Sequence, residues 1–214
     1  MSGELHVIST GKQSLKTVTS IMRQIHPFID YFHLREKSWS AHELIQGVKS
    51  LSVAGVPTEK IMINDRVDVA HAMNTRGVQL SDQSMGVELV NRYYNHLRIG
   101  CSVHHTAKGV AAAKHGADYL LFGHIFETQS KPGMKPKGLA SLREMVERVP
   151  IPVIAIGGIT PANTSDVIQN GASGIAVLSG VLLADDPLKA ALAYQKALKN
   201  STYAEGRCKD EPKL

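Results

Sequence analysis

Cysteine is close to absent from this chain: there are two in 214 residues, Cys101 and Cys208, with no metal-like spacing between them. That excludes a disulfide framework and a thiolate zinc site, and it points to a reducing compartment. Aromatic residues are also scarce, at 5%. Without them there is no stacking platform for single strands, and the 24 Lys and Arg are scattered, so no nucleic acid is expected as a partner. No apolar run approaches the ~18 residues of a membrane span, and Met1 to Ser20 lacks the apolar centre of a signal peptide. A cytoplasmic protein with no membrane partner is the expectation.

What the chain does have is 43% hydrophobic residues, enough for one well-buried core, and a net charge of +5 that favours anionic ligands. Short apolar runs alternate with longer amphipathic ones. Strands are expected at 4–9, 29–35, 60–64, 77–80, 97–102, 118–122, 152–157 and 174–178. Helices are expected at 12–26, 40–54, 66–75, 85–95, 105–115, 139–148, 161–170 and 187–199. Strict alternation implies a parallel sheet, and eight units close a barrel, so the fold expected over residues 1–200 is a single (β/α)8 TIM barrel followed by a polar tail, 201–214. A doubly wound open sheet is the alternative. One insertion breaks the rhythm, Gly123 to Gly138, and loops of that length are usually functional or disordered.

In a barrel the site lies where strands end. His33, Arg35 and Lys37 stand at i, i+2 and i+4, so an extended segment projects them to one side, either into the mouth as anion-binding cations or into solvent. Asn64 and Asp65 end the third strand, where Asp65 ligates a metal or, more commonly, caps the next helix. Ser102 ends the fifth strand and donates to a phosphate or caps a helix. His104 and His105 follow without a third ligand at zinc spacing. The sixth strand leads to His124 and a loop with Thr128, Gln129, Ser130 and Lys131, residues that suit a lid over an anion. Gly157 and Gly158, with Thr160 as expected N-cap and Pro161 as first helical residue, then Ser179 and Gly180, supply backbone N–H groups where such barrels bind phosphate.

LREK at 34–37, NDRVD at 64–68, FGHIFET at 122–128, PVIAIGGITP at 152–161 and GIAVLSG at 174–180 resemble, in order and spacing, the thiamin phosphate synthase superfamily. In its synthase branch the resemblance implies a glutamine at the position of His33, gripping a pyrimidine diphosphate together with the matches of Arg35 and Lys37. It also implies two magnesium aspartates, one matching Asp65 and the other at the position of Ser84, with Asp82 nearby. GHIFET with the altered acid looks like the thiazole tautomerase branch. That branch implies an isomerase that converts a non-aromatic carboxythiazole phosphate tautomer to its aromatic form, with no metal and no redox cofactor. On that reading His124 is the catalytic acid/base, Arg35 and Lys37 meet the carboxylate with Ser102 and Asn64, and Thr128, Gln129 and Ser130 close over the ligand. The phosphate rests on Gly157, Gly158, Ser179 and Gly180. The partner is a small phosphorylated thiazole carboxylate, with a homo-oligomer left open. The alternatives are a thiamin phosphate synthase and a regulator that binds ligand without turnover.

Overall fold

The computed structural model describes residues 3–207, so Cys208 and the end of the expected tail lie outside the described residues. The strands are β1 (Glu4–Ile8), β2 (Tyr31–Leu34), β3 (Ile61–Asn64), β4 (Gly77–Leu80), β5 (Arg98–Val103), β6 (Tyr119–Gly123), β7 (Val153–Ile156) and β8 (Gly174–Val177). The helices between and after them are α1 (Leu15–Ile25), α2 (Ala41–Val53), α3 (Val67–Ala72), α4 (Val87–Tyr93), α5 (Thr106–Lys114), α6 (Gly138–Arg148), α7 (Thr164–Gln169), α8 (Ser179–Leu182) and α9 (Pro187–Arg207). Every neighbouring pair of strands is parallel, and β8 returns to pair with β1, so the sheet closes as the expected barrel rather than lying open. Among the described residues no helix is long and apolar enough to cross a membrane.

Alternation along each strand divides the molecule into two cores. Outward residues such as Leu5, Val7, Phe32, Leu34, Ile61, Ile63, Leu120 and Phe122 pack under the helices in one large apolar cluster. Inward residues Ile8, Met62, Tyr119, Leu121, Ile154 and Ala176 form a second, smaller cluster on the barrel axis. Burying each large aliphatic side chain contributes about 1.5–3 kcal/mol, so the outer shell dominates stability. Polar residues share the inner layer: His6, His33 and Gln79 are all buried.

The helix starts follow side-chain chemistry. Ser14 caps α1 by accepting from Thr17 N at 3.1 Å. Ser40 and Glu43 form a reciprocal capping box at α2, which satisfies two otherwise orphaned N–H groups. Three expectations shift. The segment after β7 does not become helical at Pro161: Thr160 N donates to Asn163 Oδ1 at 2.8 Å, and this closed turn delays α7 to Thr164. β2 stops at Leu34, one residue short of Arg35. α9 continues to Arg207, past the expected boundary at residue 200.

Candidate active site

The C-terminal strand ends gather most of the expected residues on one face of the barrel. At β2 the chain leaves the sheet after Leu34, so the i, i+2, i+4 projection does not hold: only His33 lies on the strand, and it is wholly buried. Arg35 is half-buried and Lys37 exposed in the turn that follows. Two hydrogen bonds tie that turn to β1, from Ser9 N to His33 O at 2.9 Å and from Arg35 N to Ser9 Oγ at 2.7 Å. Arg35 therefore stands in a turn fixed at its base.

Asn64 closes β3 half-buried, and Asp65 follows with φ 68°, its N–H donating to Gln79 O at 2.9 Å. Asp65 does not cap α3, whose N-cap position is Arg66 with no side-chain cap, so its carboxylate stays exposed at the mouth. Arg66 turns instead to Asp68. After β4, Asp82 is held by Lys108 at 2.7 Å, which keeps its carboxyl below the usual range. Ser84 Oγ accepts from Ser81 N at 2.8 Å. On β5, Ser102 caps nothing; its Oγ accepts from Gln79 Nε2 at 2.9 Å. His104 Nδ1 lies 3.0 Å from Gly123 O, which it meets as a donor.

The loop after β6 is closed at its base, where Lys137 N donates to His124 O at 2.8 Å and Gly138 N to Ile125 O at 3.0 Å. His124 is buried, and its Nε2 donates to Met134 O at 3.1 Å, which straps the loop to the barrel. Within the loop Ser130 N reaches Thr128 Oγ1 at 3.3 Å; Thr128 is half-buried, and Gln129 and Ser130 are exposed. Beside it, Gly157 and Gly158 have φ 98° and 66°. A Cβ on Gly157 would come within 2.2 Å of His124 Cβ, and one on Gly158 within 2.3 Å of Glu127 O. Only glycine lets the β7 turn lie against that loop. Ser179 and Gly180 open α8, a four-residue turn too short to register as helical periodicity in the sequence.

Sequence reasoning missed the polar interior beneath this face. Glu4, His6, Arg98 and Tyr119 all occupy inward positions of their strands, and period-2 alternation within β1 and β5 could have found them once a barrel was assumed.

A family model described as thiamine monophosphate synthase matches residues 5–181. The chain belongs to that family. A thiamine-phosphate synthase from Chloroflexus aurantiacus is 43% identical over 162 residues, covering 73% of this chain and 74% of its own length. Another, from Pyrococcus furiosus, is 35% identical over 197 residues, 92% of this chain and 95% of its own. Among solved structures, the thiamine phosphate pyrophosphorylase of Pyrococcus furiosus superposes with a TM-score of 0.79 at 33% identity, covering 92% of this chain and 96% of that one.

These relatives overturn the expected thiazole tautomerase and with it the isomerase class: members of the family this similar over this length are named synthases. The acid/base role expected of His124 belonged to that tautomerisation. That expectation rested on GHIFET and the altered acid at Ser84, two local features, whereas the similarity to the synthases runs along the whole barrel. In the structure that histidine donates its Nε2 hydrogen to the loop carbonyl of Met134 at 3.1 Å.

Proposed function

We propose that the protein is a thiamine-phosphate synthase, a transferase that joins an aminopyrimidine methyl diphosphate to a thiazole ethyl phosphate. The carbon–oxygen bond to the diphosphate breaks, the thiazole nitrogen bonds to the same carbon, and diphosphate leaves. Similarity to a named synthase over 92% of the chain is the observation that carries this reading. The arrangement of the strand ends supports it: cations after β2 and positive-φ glycine turns after β7 suit two phosphorylated substrates.

On this reading Arg35 and Lys37 hold the diphosphate, with Arg35 the stronger contributor because its guanidinium is bidentate and partly desolvated. The thiazole phosphate rests on the N–H groups of Gly157, Gly158, Ser179 and Gly180. Asn64 and Ser102 orient the rings between them, and Thr128, Gln129 and Ser130 close over the pair to exclude water, which would otherwise compete for the activated carbon. His124 straps that loop to the barrel through the carbonyl of Met134.

A divalent cation is implied by the family. The donors present fit one that is held mainly by substrate oxygens: a hard ion of this kind needs only one or two carboxylates beside the phosphates, and Asp65 offers one at the mouth. Asp82 is engaged by Lys108, and the remaining family position is Ser84. Asp65 would hold such an ion beside the substrate, where it would supply positive charge to offset the negative charge developing on the departing diphosphate.

Incubation of the purified protein with both substrates and magnesium should form thiamin phosphate and release diphosphate in equal amounts. Product at the level of a no-enzyme control would overturn the proposal.

A further inference from the structure

The two glycine turns assigned to the phosphate follow different strands, and a side chain from a third element touches both. β7 and β8 pair for the last time at Ile156 and Ala176, and each segment then leaves the sheet. The Tyr194 hydroxyl of α9 donates to Ile159 O at 3.0 Å, in the turn after β7. The same oxygen is the atom that a Cβ on Gly180, in the turn after β8, would meet at 2.3 Å. Tyr194 is buried, and so are Ala191 and Leu198, three and four residues away on the same face of α9, so the helix behind it anchors the ring. Burial pushes the hydroxyl pKa up, which keeps the group a donor.

The contact at Gly180 accounts for that residue. Gly180 has no positive φ, so its backbone does not require glycine; the room that a methyl group would need is filled by the Tyr194 hydroxyl. The bond to Ile159 completes a second pattern. Four successive carbonyls, those of Ile156, Gly157, Gly158 and Ile159, accept from Ile125 N, Phe126 N, Asn163 Nδ2 and the Tyr194 hydroxyl at 2.9, 3.0, 3.0 and 3.0 Å. A trans peptide points its N–H opposite to its C=O, so donors that hold the carbonyls of Gly157 and Gly158 turn the N–H groups of Gly158 and Ile159 the other way. Tyr194 holds the last of these carbonyls, and the three atoms nearest a Cβ on Gly180 all belong to it.

We infer that Tyr194 is a positioning residue: its hydroxyl sets the separation of the turns after β7 and β8, so that backbone N–H groups of both reach one phosphate. The inference rests on the phosphate placement of the synthase reading and adds to it a buried residue that touches no substrate. Hydrogen bonds weaken steeply away from linear geometry, so a phosphate held from two turns tolerates little error in their spacing. Losing the bond to Ile159 should therefore appear as weaker phosphate binding on the scale of one neutral hydrogen bond, roughly three- to ten-fold. The thiazole phosphate takes no part in the bond changes, so ground state and transition state hold it alike, and the loss falls on KM rather than kcat.

Tyr194→Phe removes the hydroxyl and keeps the ring. Calorimetry on the full chain should show thiazole ethyl phosphate bound roughly three- to ten-fold more weakly by this variant than by the wild type, and the dephosphorylated thiazole alcohol bound equally by both. In the coupling assay KM for thiazole ethyl phosphate should rise by a similar factor, with kcat and KM for the aminopyrimidine diphosphate unchanged. Gly180→Ala should cost more phosphate affinity in the wild-type background than in Tyr194→Phe, where the methyl group no longer meets the hydroxyl. If Gly180→Ala does not fold, the comparison of phosphate with alcohol in Tyr194→Phe decides alone. Equal phosphate affinity of wild type and Tyr194→Phe, an equal loss for the alcohol, or Gly180→Ala and Tyr194→Phe losses that simply add overturns the inference. A wild-type protein with no preference for the phosphate over the alcohol overturns it together with the phosphate placement. Binding with the expected differences but no thiamin phosphate would instead remove the synthase reading and leave the positioning role standing.

Discussion

A methyl group at Gly100 would meet both Gln79 Oε1 and the Tyr119 hydroxyl at 2.3 Å, the two atoms that hydrogen-bond each other across the barrel axis. Gly100→Ala should therefore cost about 1–3 kcal/mol in urea denaturation, the usual penalty of overpacking, and should disorder Ser102 through Gln79. An unchanged denaturation midpoint would mean the interior has slack that these distances deny. At the mouth, Arg35→Ala removes a charge-assisted contact and should raise KM for the pyrimidine diphosphate roughly ten-fold with a smaller effect on kcat, measured in the coupling assay. Asp65→Asn should raise the magnesium concentration needed for half-maximal rate, because Asp82 is committed to Lys108 and Ser84 brings no charge. Individual site residues were legible in the sequence to the extent that they end strands: Asn64 and Ser102 stand where the pattern put them. His33 was legible only as a residue type. Its partner, His6, comes from another strand, and nothing local in a sequence reports a contact made across the sheet.

At the scale of elements, the eight strands fall within one or two residues of their expected bounds, because parallel strands buried on both faces read as unbroken apolar runs. The errors gather at the ends. α7 starts late because Asn163 and Thr160 bond each other, and α8 has four residues, fewer than any periodic signal requires. The loop between β6 and α6 was recognised as an insertion, but its attachment was not: the strap from His124 to the carbonyl of Met134 involves a backbone atom that no sequence pattern marks. His124→Ala should loosen this loop without unfolding the barrel. Lys131 and Lys135 each precede proline, so trypsin should cut chiefly at Lys137, and the variant should be cut there several-fold faster than the wild type. Equal cleavage rates would show that the loop is held by its base alone.

For the whole molecule, acid is the condition that tests the polar interior. Desolvation lowers the pKa of His6 and His33 from the ordinary 6.5, so below that value the unfolded chain binds more protons than the barrel and stability falls as pH falls. Glu4 adds a later loss. Burial pushes its carboxyl up, but hydrogen bonds from His6 and Arg98 outweigh it and bring the pKa from 4.5 down to about 2. A depressed carboxyl stabilises the fold above its unfolded value, and this contribution fades between 4.5 and about 2. Urea midpoints should thus decline from about pH 7 downward, before most surface carboxylates titrate, and His33→Phe should flatten the upper part of the decline. A flat profile down to about pH 5 would mean the paired histidines titrate as they do in the unfolded chain.

The pairing of β1 with β8 has one more consequence, in the order in which the protein is made. On the ribosome the first strand emerges with Glu4 and His6, yet its hydrogen-bonding edge must wait until residues 174–177 have been translated. Arg98 arrives midway, too early for a closed cylinder and too late for a local hairpin. Nascent intermediates therefore hold a charged strand beside an open seam, where a chaperone or the edge of another nascent chain can dock. A circular permutant that begins at the exposed turn after β4 would make β8 and β1 consecutive, and the seam left to close last would move to β4 and β5.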